Sequence, residues 1–170
     1  KSTLGGIILA EAQKAKLATL LADSEYSYSP AYYEALGVNL DDLDLLQHRL
    51  GEELFDGIEE WITKNKNGVI ILDSIGNILP RSEAEKKSGE VTVGAQARLI
   101  APFLKKINGL LVEKNIGIFI ANHEKENLMN PGIYTPGGKA MEHFTDIWLR
   151  MRKVNKKVMK GEDQVGEVIE

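Results

Sequence analysis

The first three residues, Lys1, Ser2 and Thr3, carry side chains that can hold a phosphorylated ligand. In phosphate-binding loops a lysine ammonium reaches the β- and γ-phosphates, and the hydroxyl that follows it binds Mg²⁺. A helix N-terminus adds free N–H groups and a dipole that favours anions. The glycine half of such a loop, G-x-x-x-x-G, is not in the sequence, because Gly5 and Gly6 follow the lysine. The triplet alone is therefore a weak sign of nucleotide binding.

Three acidic residues lie at or just after apolar runs that have the character of buried strands. Asp73 follows "VIIL", which is typical of a Walker B acid that holds Mg²⁺ directly or through water. Asp23 and Glu25 end the run "LATLLADSE", where an acid could deprotonate a water that attacks a γ-phosphate. Each acid alone could equally cap a turn. Ligands of open α/β sheets bind at the carboxyl ends of the strands, so three acids at matching ends favour a nucleotide site.

His123 and two tyrosines are further candidates for this site. His123 follows "GIFIAN", so it could sense a γ-phosphate, or it could be a hydrogen-bonded structural residue. Tyr32 and Tyr33 follow Ser29 and Pro30 and could stack on a base. Tyrosines near a proline turn are also common on ordinary surfaces, so this second signal is weak.

Basic residues cluster in and after a long polar loop at 80–93. Lys86 and Lys87 lie in that loop, and Arg98 and Lys105 lie in the helical pattern after it. A spacing of seven places Arg98 and Lys105 on one helix stripe, which could approach a polyanion. A solvated face is the alternative. The net charge of −4 argues against a generally basic surface but allows a local nucleic-acid site.

These residues need a scaffold, and the hydrophobic pattern predicts one. Uninterrupted apolar runs predict buried strands at 17–25, 68–74 and 117–122. Helical periodicity predicts helices at 3–16, 50–64 and 94–115. Pro102 should kink the last helix or mark its first turn. Strands that alternate with helices predict an α/β fold, with a parallel sheet covered on both faces and right-handed crossovers.

The pattern changes beyond residue 145. Residues 145–154 alternate apolar and polar side chains, and 156–170 read as a hairpin that turns at 161–163. We expect this part to be antiparallel, at a sheet edge. The segment 124–138 is a second long loop, with two prolines and three glycines. Long loops of this kind are functional sites or plain connectors.

Composition limits the class of protein. The chain has 170 residues, enough for one domain with a sizeable core, and 43% are hydrophobic and 27% charged, as in soluble proteins. It has no cysteine, which excludes a disulfide scaffold and a thiolate metal site and fits a reducing cytoplasm. Its apolar runs are shorter than the roughly 18 residues of a membrane span, so no membrane partner is expected.

Taken in order, the motifs resemble the ATPase core of RecA-family DNA recombinases, including phage-encoded members. "KSTL" resembles the end of Walker A, and "PAYYEALGV" the adenine turn that follows the strand and its acid. "GVIILDSIGNILPRSE" resembles the Walker B strand, "IFIANH" the strand before the second DNA loop, and "PGGKAMEHF" the Gly-Gly segment. The resemblance implies a RecA-like P-loop NTPase core, a single domain over 1–170 that is cut at both ends. A strand and G-x-x-x-x-G should directly precede Lys1.

The resemblance also implies roles for the candidate residues, with ATP and Mg²⁺ as cofactors. Glu25 would be the general base, and His123 stands where bacterial members usually have a glutamine that couples the γ-phosphate to the second loop. Lys1 would act with them in catalysis, and Ser2 and Asp73 would hold Mg²⁺. The residues implied in nucleotide binding are Lys1, Ser2, Thr3, Tyr32, Asp73 and Ser74. Ser29 stands where many members have an aspartate for the adenine amino group, so the sequence departs from the family pattern at this position.

Two DNA loops are implied at 84–94 and 124–138. The implied DNA-binding residues are Lys86, Lys87, Arg98, Lys105, Ile133, Tyr134, Gly137 and Gly138. Ile133 or Tyr134, near the tip of the second loop, would insert between bases. Members form homo-oligomeric helical filaments on single-stranded DNA, with ATP between subunits, and pair that strand with a homologous duplex in the cytoplasm.

Other functions share part of this pattern. A hexameric replicative helicase or a KaiC-like ATPase would have the same acids and phosphate site. The P-x-Y-x-x-x-L-G-V stretch and the Gly-Gly pair favour the recombinase. A binding paralogue without catalysis is the third alternative, and Glu25 argues against it.

Overall fold

The computed structural model of the chain describes residues 1–87, 94–126, 133–151, 153–160 and 163–169. For 125–126, 133–134, 153–160 and 163–169 it describes the backbone alone. The helices are α1 (Ser2–Lys14), α2 (Pro30–Ala35), α3 (Gly51–Lys64), α4 (Arg81–Ala84), α5 (Ala95–Glu113) and α6 (Lys139–Phe144). The strands are β1 (Ala18–Asp23), β2 (Leu43–Leu46), β3 (Gly68–Asp73), β4 (Ile116–Ile120), β5 (Lys125–Glu126), β6 (Ile133–Tyr134), β7 (Lys153–Lys160) and β8 (Asp163–Ile169). Short 3₁₀ turns lie at Leu40–Asp42 and Ile75–Asn77.

A parallel sheet forms the centre of the described structure, in the order β2-β1-β3-β4. Leu20 of β1 pairs with Ile70 of β3, and Ile70 pairs with Ile118 of β4. Strands β1 and β3 are buried along nearly their whole length, because helices cover both faces of the sheet. The predicted α/β class with a parallel sheet is therefore confirmed.

The two faces of the sheet build two separate hydrophobic clusters. Leu9 of α1 packs in one cluster with Leu21 and Ile71. Helices α3 and α5 cover the other face, where the rings of Phe55 and Phe103 stack with centroids 3.7 Å apart. Each fully buried side chain of this size contributes about 1.5–3 kcal/mol relative to an exposed one. Helix α1 is thereby fixed on the sheet, with its N-terminus at the edge where β1 and β3 end.

Close packing explains a glycine in α1, where glycine costs about 1 kcal/mol relative to alanine. A Cβ atom on Gly5 would lie 2.9 Å from Cγ2 of Ile71 in β3. The missing side chain lets the first turn of α1 approach the sheet closely. The close approach of α1 to the sheet brings Ser2 and Thr3 near the ends of the strands.

Strand β4 departs from the prediction of a buried strand. It is the edge strand of the parallel sheet in the described residues, and most of its side chains are half-buried. A groove of about 950 Å³ runs between β4 and residues 144–151. The large apolar side chains on the far side of the groove are exposed, at 75% for Ile147 and 64% for Leu149.

The C-terminal prediction is partly wrong. Residues 145–151 form no strand, because no neighbouring backbone pairs with them in the described structure. Strands β7 and β8 do pair antiparallel, and Lys160 and Asp163 flank their connection. They form a two-stranded sheet of their own, so the predicted position at the edge of the central sheet is not shown.

Two other differences concern helices. Helix α5 begins seven residues before Pro102 and continues past it, so Pro102 does not mark its first turn. Sequence periodicity also missed the short helices α2, α4 and α6, and α4 lies within the segment predicted as a polar loop at 80–93. In the described ranges, we find no helix with the length and apolarity needed to cross a membrane.

Candidate active site

The candidate site lies at the edge of the sheet where the parallel strands end. Asp23 and Asp73 pair as the last residues of β1 and β3. Helix α1 begins at the same edge, since Ser2 donates a hydrogen bond to Asp73. His123 follows β4 by three residues and reaches the same place, because its ring contacts Lys1. The predicted phosphate-site residues are thus brought together.

Ser2 and Asp73 have the chemistry of a magnesium site. The Ser2 hydroxyl donates to Oδ2 of Asp73 over 2.5 Å, and Asp73 is only 5% exposed. Hydroxyl and carboxylate oxygens are the ligands that Mg²⁺ prefers, usually shared with substrate phosphates and water. No group of three or more His, Asp or Glu side chains in the described ranges could form a complete protein cage for a metal. These residues fit an ion held partly by a phosphorylated substrate.

The N-terminus of α1 adds an anion site beside them. The helix begins at Ser2, and its first backbone bond runs from the Gly5 N–H to the Lys1 carbonyl. The N–H groups of the first turn therefore have no partner inside the helix. No acidic residue lies in that turn, so the dipole and the Lys1 ammonium both favour a phosphate.

Glu25 carries the most heavily hydrogen-bonded carboxylate oxygen of the site. Its Oε1 accepts from Ser74 Oγ at 2.5 Å, from Asn77 Nδ2 at 2.8 Å and from His123 Nε2 at 3.2 Å. The Ser74 hydrogen bond and the His123 contact lower the pKa of Glu25, while partial burial acts in the opposite direction. Glu25 is therefore ionised at neutral pH.

His123 bridges Glu25 and Lys1. Lys1 Nζ lies 3.2 Å from His123 Nδ1, and a lysine ammonium can only donate. Nδ1 must then be the acceptor, which leaves the proton of a neutral ring on Nε2, facing Glu25. The neutral tautomer joins a positive and a negative side chain.

Asp23 has a structural role that separates it from Glu25. It is 2% exposed and accepts from the backbone N–H groups of Glu25 and Tyr28 and from Gln47 Nε2. These bonds close the turn that presents Glu25. Ser24 and Ser74 fasten the same turn to the end of β3, because Ser24 Oγ donates to the Ser74 carbonyl and accepts from the Ser74 N–H.

The tyrosines after Pro30 divide into one exposed and one buried ring. Tyr32 is 42% exposed, and its hydroxyl lies 2.5 Å from Thr3 Oγ1. Its ring also meets the Tyr33 ring edge to face, with centroids 6.0 Å apart, and keeps an exposed surface beside Ser2 and Thr3. Tyr33 is 4% exposed and packs in the hydrophobic cluster that contains Leu9 and Ile71. Burial, together with the negative charges of Asp73 and Asp23, raises the pKa of Tyr33 to about 12. The residue pattern alone offered both tyrosines, and the RecA resemblance selected Tyr32.

The comparison with known proteins follows this geometry. The sequence model of the RecA N-terminal domain matches residues 1–170. The chain belongs to the RecA N-terminal domain family. Its similar relatives include the protein RecA of Clostridium acetobutylicum, 36% identical over 98% of this chain and 48% of the relative. Protein RecA of Aquifex pyrophilus is 34% identical over 98% and 48%, and that of Thermus thermophilus 32% over 98% and 50%. The chain spans about half the length of these curated relatives.

Family membership favours the RecA interpretation over the helicase and KaiC-like alternatives. The individual roles of the site residues stay predictions, since membership fixes the fold and the order of the motifs. The geometry adds that Lys1, Ser2, Asp73, Glu25 and His123 meet at one edge of the sheet.

The second of the two DNA loops implied by the RecA resemblance returns close to this cluster, because Asn122, next to His123, donates to the Pro136 carbonyl. Lys86, Lys87, Arg98 and Lys105 are exposed. Ile133 and Tyr134 form β6, whose backbone pairs with β5. Their side chains, and residues 88–93 and 127–132 of the two loops, lie outside the described part.

Gly137 and Gly138 have a structural reason to be glycine. Both have positive φ angles, of 94° and 60°, and a Cβ on Gly137 would lie 2.6 Å from Cγ of Met141. They set the entry into α6. Their proposed contact with DNA stays a prediction of the RecA resemblance.

Several polar residues that connect the site were missed by sequence reasoning. Gln96 of α5 donates to the carbonyls of Gly76 and Ile78, just after β3. Asn122 donates to the Pro136 carbonyl and accepts from the His123 N–H. Asn122 could have been found, because it ends the apolar run before His123. Gln96 carries no such signal in the sequence.

Proposed function

We propose that the full-length protein is an ATP-dependent DNA recombinase. It forms helical filaments on single-stranded DNA with ATP between subunits, pairs that strand with a homologous duplex and exchanges strands. The proposal rests on membership of the RecA N-terminal domain family and on one observation. Glu25, His123 and Lys1 are hydrogen-bonded in a chain beside the Ser2–Asp73 pair. Hydrolysis of a nucleoside triphosphate uses a base for the water, a cation at the phosphates and Mg²⁺ ligands, and these residues would supply all three.

ATP and Mg²⁺ are the substrate and cofactor that these residues fit. Bound Mg²⁺ would neutralise the charge that develops on the phosphates. Ser2 and Asp73 would supply its protein oxygens, and Lys1 and the α1 N-terminus would hold the β- and γ-phosphates. The exposed ring of Tyr32, hydrogen-bonded to Thr3, would pack on the adenine.

Glu25 would act as the general base. It is ionised at neutral pH and would take a proton from the water that attacks the γ-phosphorus. His123 contacts both Glu25 and Lys1, so a phosphate bound to Lys1 would compete with the ring for the lysine ammonium. His123 would then report the state of the nucleotide.

The hydrogen bonds of Gln96 and Asn122 would couple the nucleotide site to the two DNA loops. Asn122 joins the backbone beside His123 to Pro136, at the exit of the second loop. Gln96 joins the segment after Walker B to the start of α5, beside the first loop. The two loops would hold DNA through its phosphates and between its bases, with little sequence preference.

Electron microscopy of the full-length protein with single-stranded DNA, ATP and Mg²⁺ tests this proposal. We expect continuous helical filaments and ATP hydrolysis that depends on DNA. Closed six-membered rings without filaments would overturn the recombinase assignment in favour of a ring motor. DNA binding without any turnover of ATP would indicate a binding paralogue instead.

A further inference from the structure

All the hydrogen bonds that hold the Glu25 carboxylate meet at one of its two oxygens. Ser74, Asn77 and His123 each donate to Oε1, and they come from the end of β3, the following 3₁₀ turn and the segment after β4. Oε2 has no hydrogen bond within the described residues. The carboxylate is thus anchored on one side and open on the other.

The three donors differ in the other contacts that they make. Ser74 is fully buried, and its backbone is fastened to Ser24. His123 also accepts from Lys1, and an anion bound to Lys1 would compete with the ring for that donor. Asn77 is exposed, and in the described ranges its side chain makes only the bond to Glu25. Asn77 is therefore a donor to the Glu25 carboxylate that, unlike His123, has no contact with Lys1 in the described structure.

A fixed carboxylate matters for proton abstraction. A general base must hold its lone pair within hydrogen-bond reach of the water, and loss of alignment costs rate even when the base is intact. A carboxylate held only by Ser74 would still rotate about that contact. A second donor on the same oxygen fixes the plane of the group and the direction of Oε2.

We propose that Asn77 is a positioning residue that holds Oε1 of Glu25 and directs Oε2 at the attacking water. This inference rests on the proposed function, in which Glu25 is the base for ATP hydrolysis. Oε2 accepts one proton from the water while the water oxygen bonds to the γ-phosphorus. The bond from phosphorus to the β-bridging oxygen breaks, and its electron pair leaves with ADP.

The test is the pH profile of DNA-dependent ATP hydrolysis by the full-length protein with Asn77→Ala and Asn77→Asp. Asn77→Asp keeps the shape of the side chain but replaces the donor with a second acceptor. We expect kcat to fall about 10-fold to 100-fold in both variants, with the KM for ATP unchanged. The acid limb of kcat should move to higher pH, further for Asn77→Asp, because a donor to the charged form is lost.

Asn65→Ala is the matched control, because Asn65 also donates its side-chain amide, but to the Trp61 carbonyl at the end of α3. It should leave both kcat and the pH profile unchanged. Asn77→Gln, which keeps the amide on a longer stem, should restore part of kcat.

Two outcomes would overturn the inference alone, and the Glu25→Gln variant separates them from failure of the proposed function. Wild-type kcat in Asn77→Asp would show that the anchor is not needed. A lower kcat with an unmoved acid limb would show a role outside Glu25. If Glu25→Gln abolishes hydrolysis in the same assay, the proposed function stands in either case. If Glu25→Gln hydrolyses ATP at the wild-type rate, Glu25 is not the base, and both fail together.

Discussion

At the scale of single residues, the two acids at the end of β1 show how environment divides one chemistry into two roles. Asp23 is buried and accepts two backbone N–H groups, so it shapes the turn. Glu25 is two residues further, carries one anchored oxygen and faces Lys1 through His123. Their residue types are nearly equivalent, and only the folded turn separates the structural acid from the candidate base.

Glu25→Gln should stop ATP hydrolysis without weakening the binding of ATP. The amide cannot take a proton from water, so we expect the turnover of the full-length protein to fall at least about 100-fold. Affinity for ATP and single-stranded DNA should stay near wild type, because Lys1, Ser2 and Asp73 are unchanged. A coupled assay for released phosphate and a nucleotide-binding titration measure the two quantities.

Asp23→Asn makes the same change from acid to amide two residues earlier, but it should lower the stability of the fold. One acceptor oxygen is lost from a buried turn with several donors, which costs about 1–3 kcal/mol of stability. We expect a lower midpoint of thermal unfolding, whereas Glu25→Gln should unfold near the wild-type midpoint. Equal unfolding midpoints for Asp23→Asn and wild type would contradict the structural role of Asp23.

Tyr33 should make stability depend on alkaline pH. Burial raises its pKa from 10.0 to about 12, so the folded state holds the phenolic proton more tightly than the unfolded chain. Its stabilisation is complete below pH 10 and is lost as pH rises toward 12. Tyr33→Phe cannot ionise and should lose less stability over that interval in urea unfolding. Tyr26→Phe, at a 57% exposed position, is the control and should follow wild type.

At the scale of elements, close contacts decide where glycine is required. A Cβ on Gly68 of β3 would lie 2.6 Å from the Ala18 carbonyl and 2.7 Å from Cη2 of Trp61. Around such a Cβ on Gly109 in α5, no atom of the described structure lies within 4 Å apart from the chain neighbours and the backbone of the same helix. Replacing glycine by alanine should therefore destabilise the protein at Gly68 and stabilise it at Gly109.

Gly68→Ala should destabilise the protein by about 1–3 kcal/mol, because backbone and a buried ring must move. Gly109→Ala should stabilise it by about 0.5–1 kcal/mol, because alanine loses less conformational entropy in a helix. Denaturant midpoints measure both variants. A Gly68→Ala protein as stable as wild type would show that β1 and β3 are less closely packed than the structure indicates.

The sequence predicted the elements that are long and strongly patterned. The strands β1 and β3 and the helices α1, α3 and α5 lie within two residues of their predicted bounds, because each has many apolar residues at one period. Strand β2 was missed, because "LDLL" is short and becomes a strand only by pairing with β1. The alternation at 145–151 was misleading, because alternation alone does not supply a partner strand.

The candidate site was predictable to a similar extent. Charged residues at strand ends could be found, because parallel strands bring their carboxyl ends to one edge. The donors that hold Glu25 could not, because Asn77 meets it across 52 residues of sequence. Nothing in the local sequence distinguishes that asparagine from any other turn residue.

At the scale of the whole molecule, α5 offers a direct test of the proposed DNA-binding surface. Lys106 Nζ lies 2.6 Å from Glu59 of α3, so its charge is already paired. Lys105, its neighbour, is exposed and has no ion pair in the described part of the chain, and it shares a helix stripe with Arg98. Adjacent lysines thus differ in their availability to a phosphate.

Lys105→Ala should weaken binding of single-stranded DNA and reduce the slope of log affinity against log salt by about 0.7. Lys106→Ala should leave the slope unchanged, although it removes the same charge from the same helix. Fluorescence anisotropy over a series of salt concentrations measures both. Identical slopes for Lys105→Ala and wild type would remove this stripe from the DNA-binding surface.

Within the part of the chain that the structure describes, β4 has a neighbouring strand on one side only, and this affects the solubility expected of the chain. An edge strand presents unpaired N–H and C=O groups in a row, and an apolar edge is a template for strands of other molecules. Beside β4 lies the groove whose far wall exposes Ile147 and Leu149. A preparation of residues 1–170 alone should therefore lose solubility as its concentration rises. Light scattering would detect this association well before any loss of helical signal.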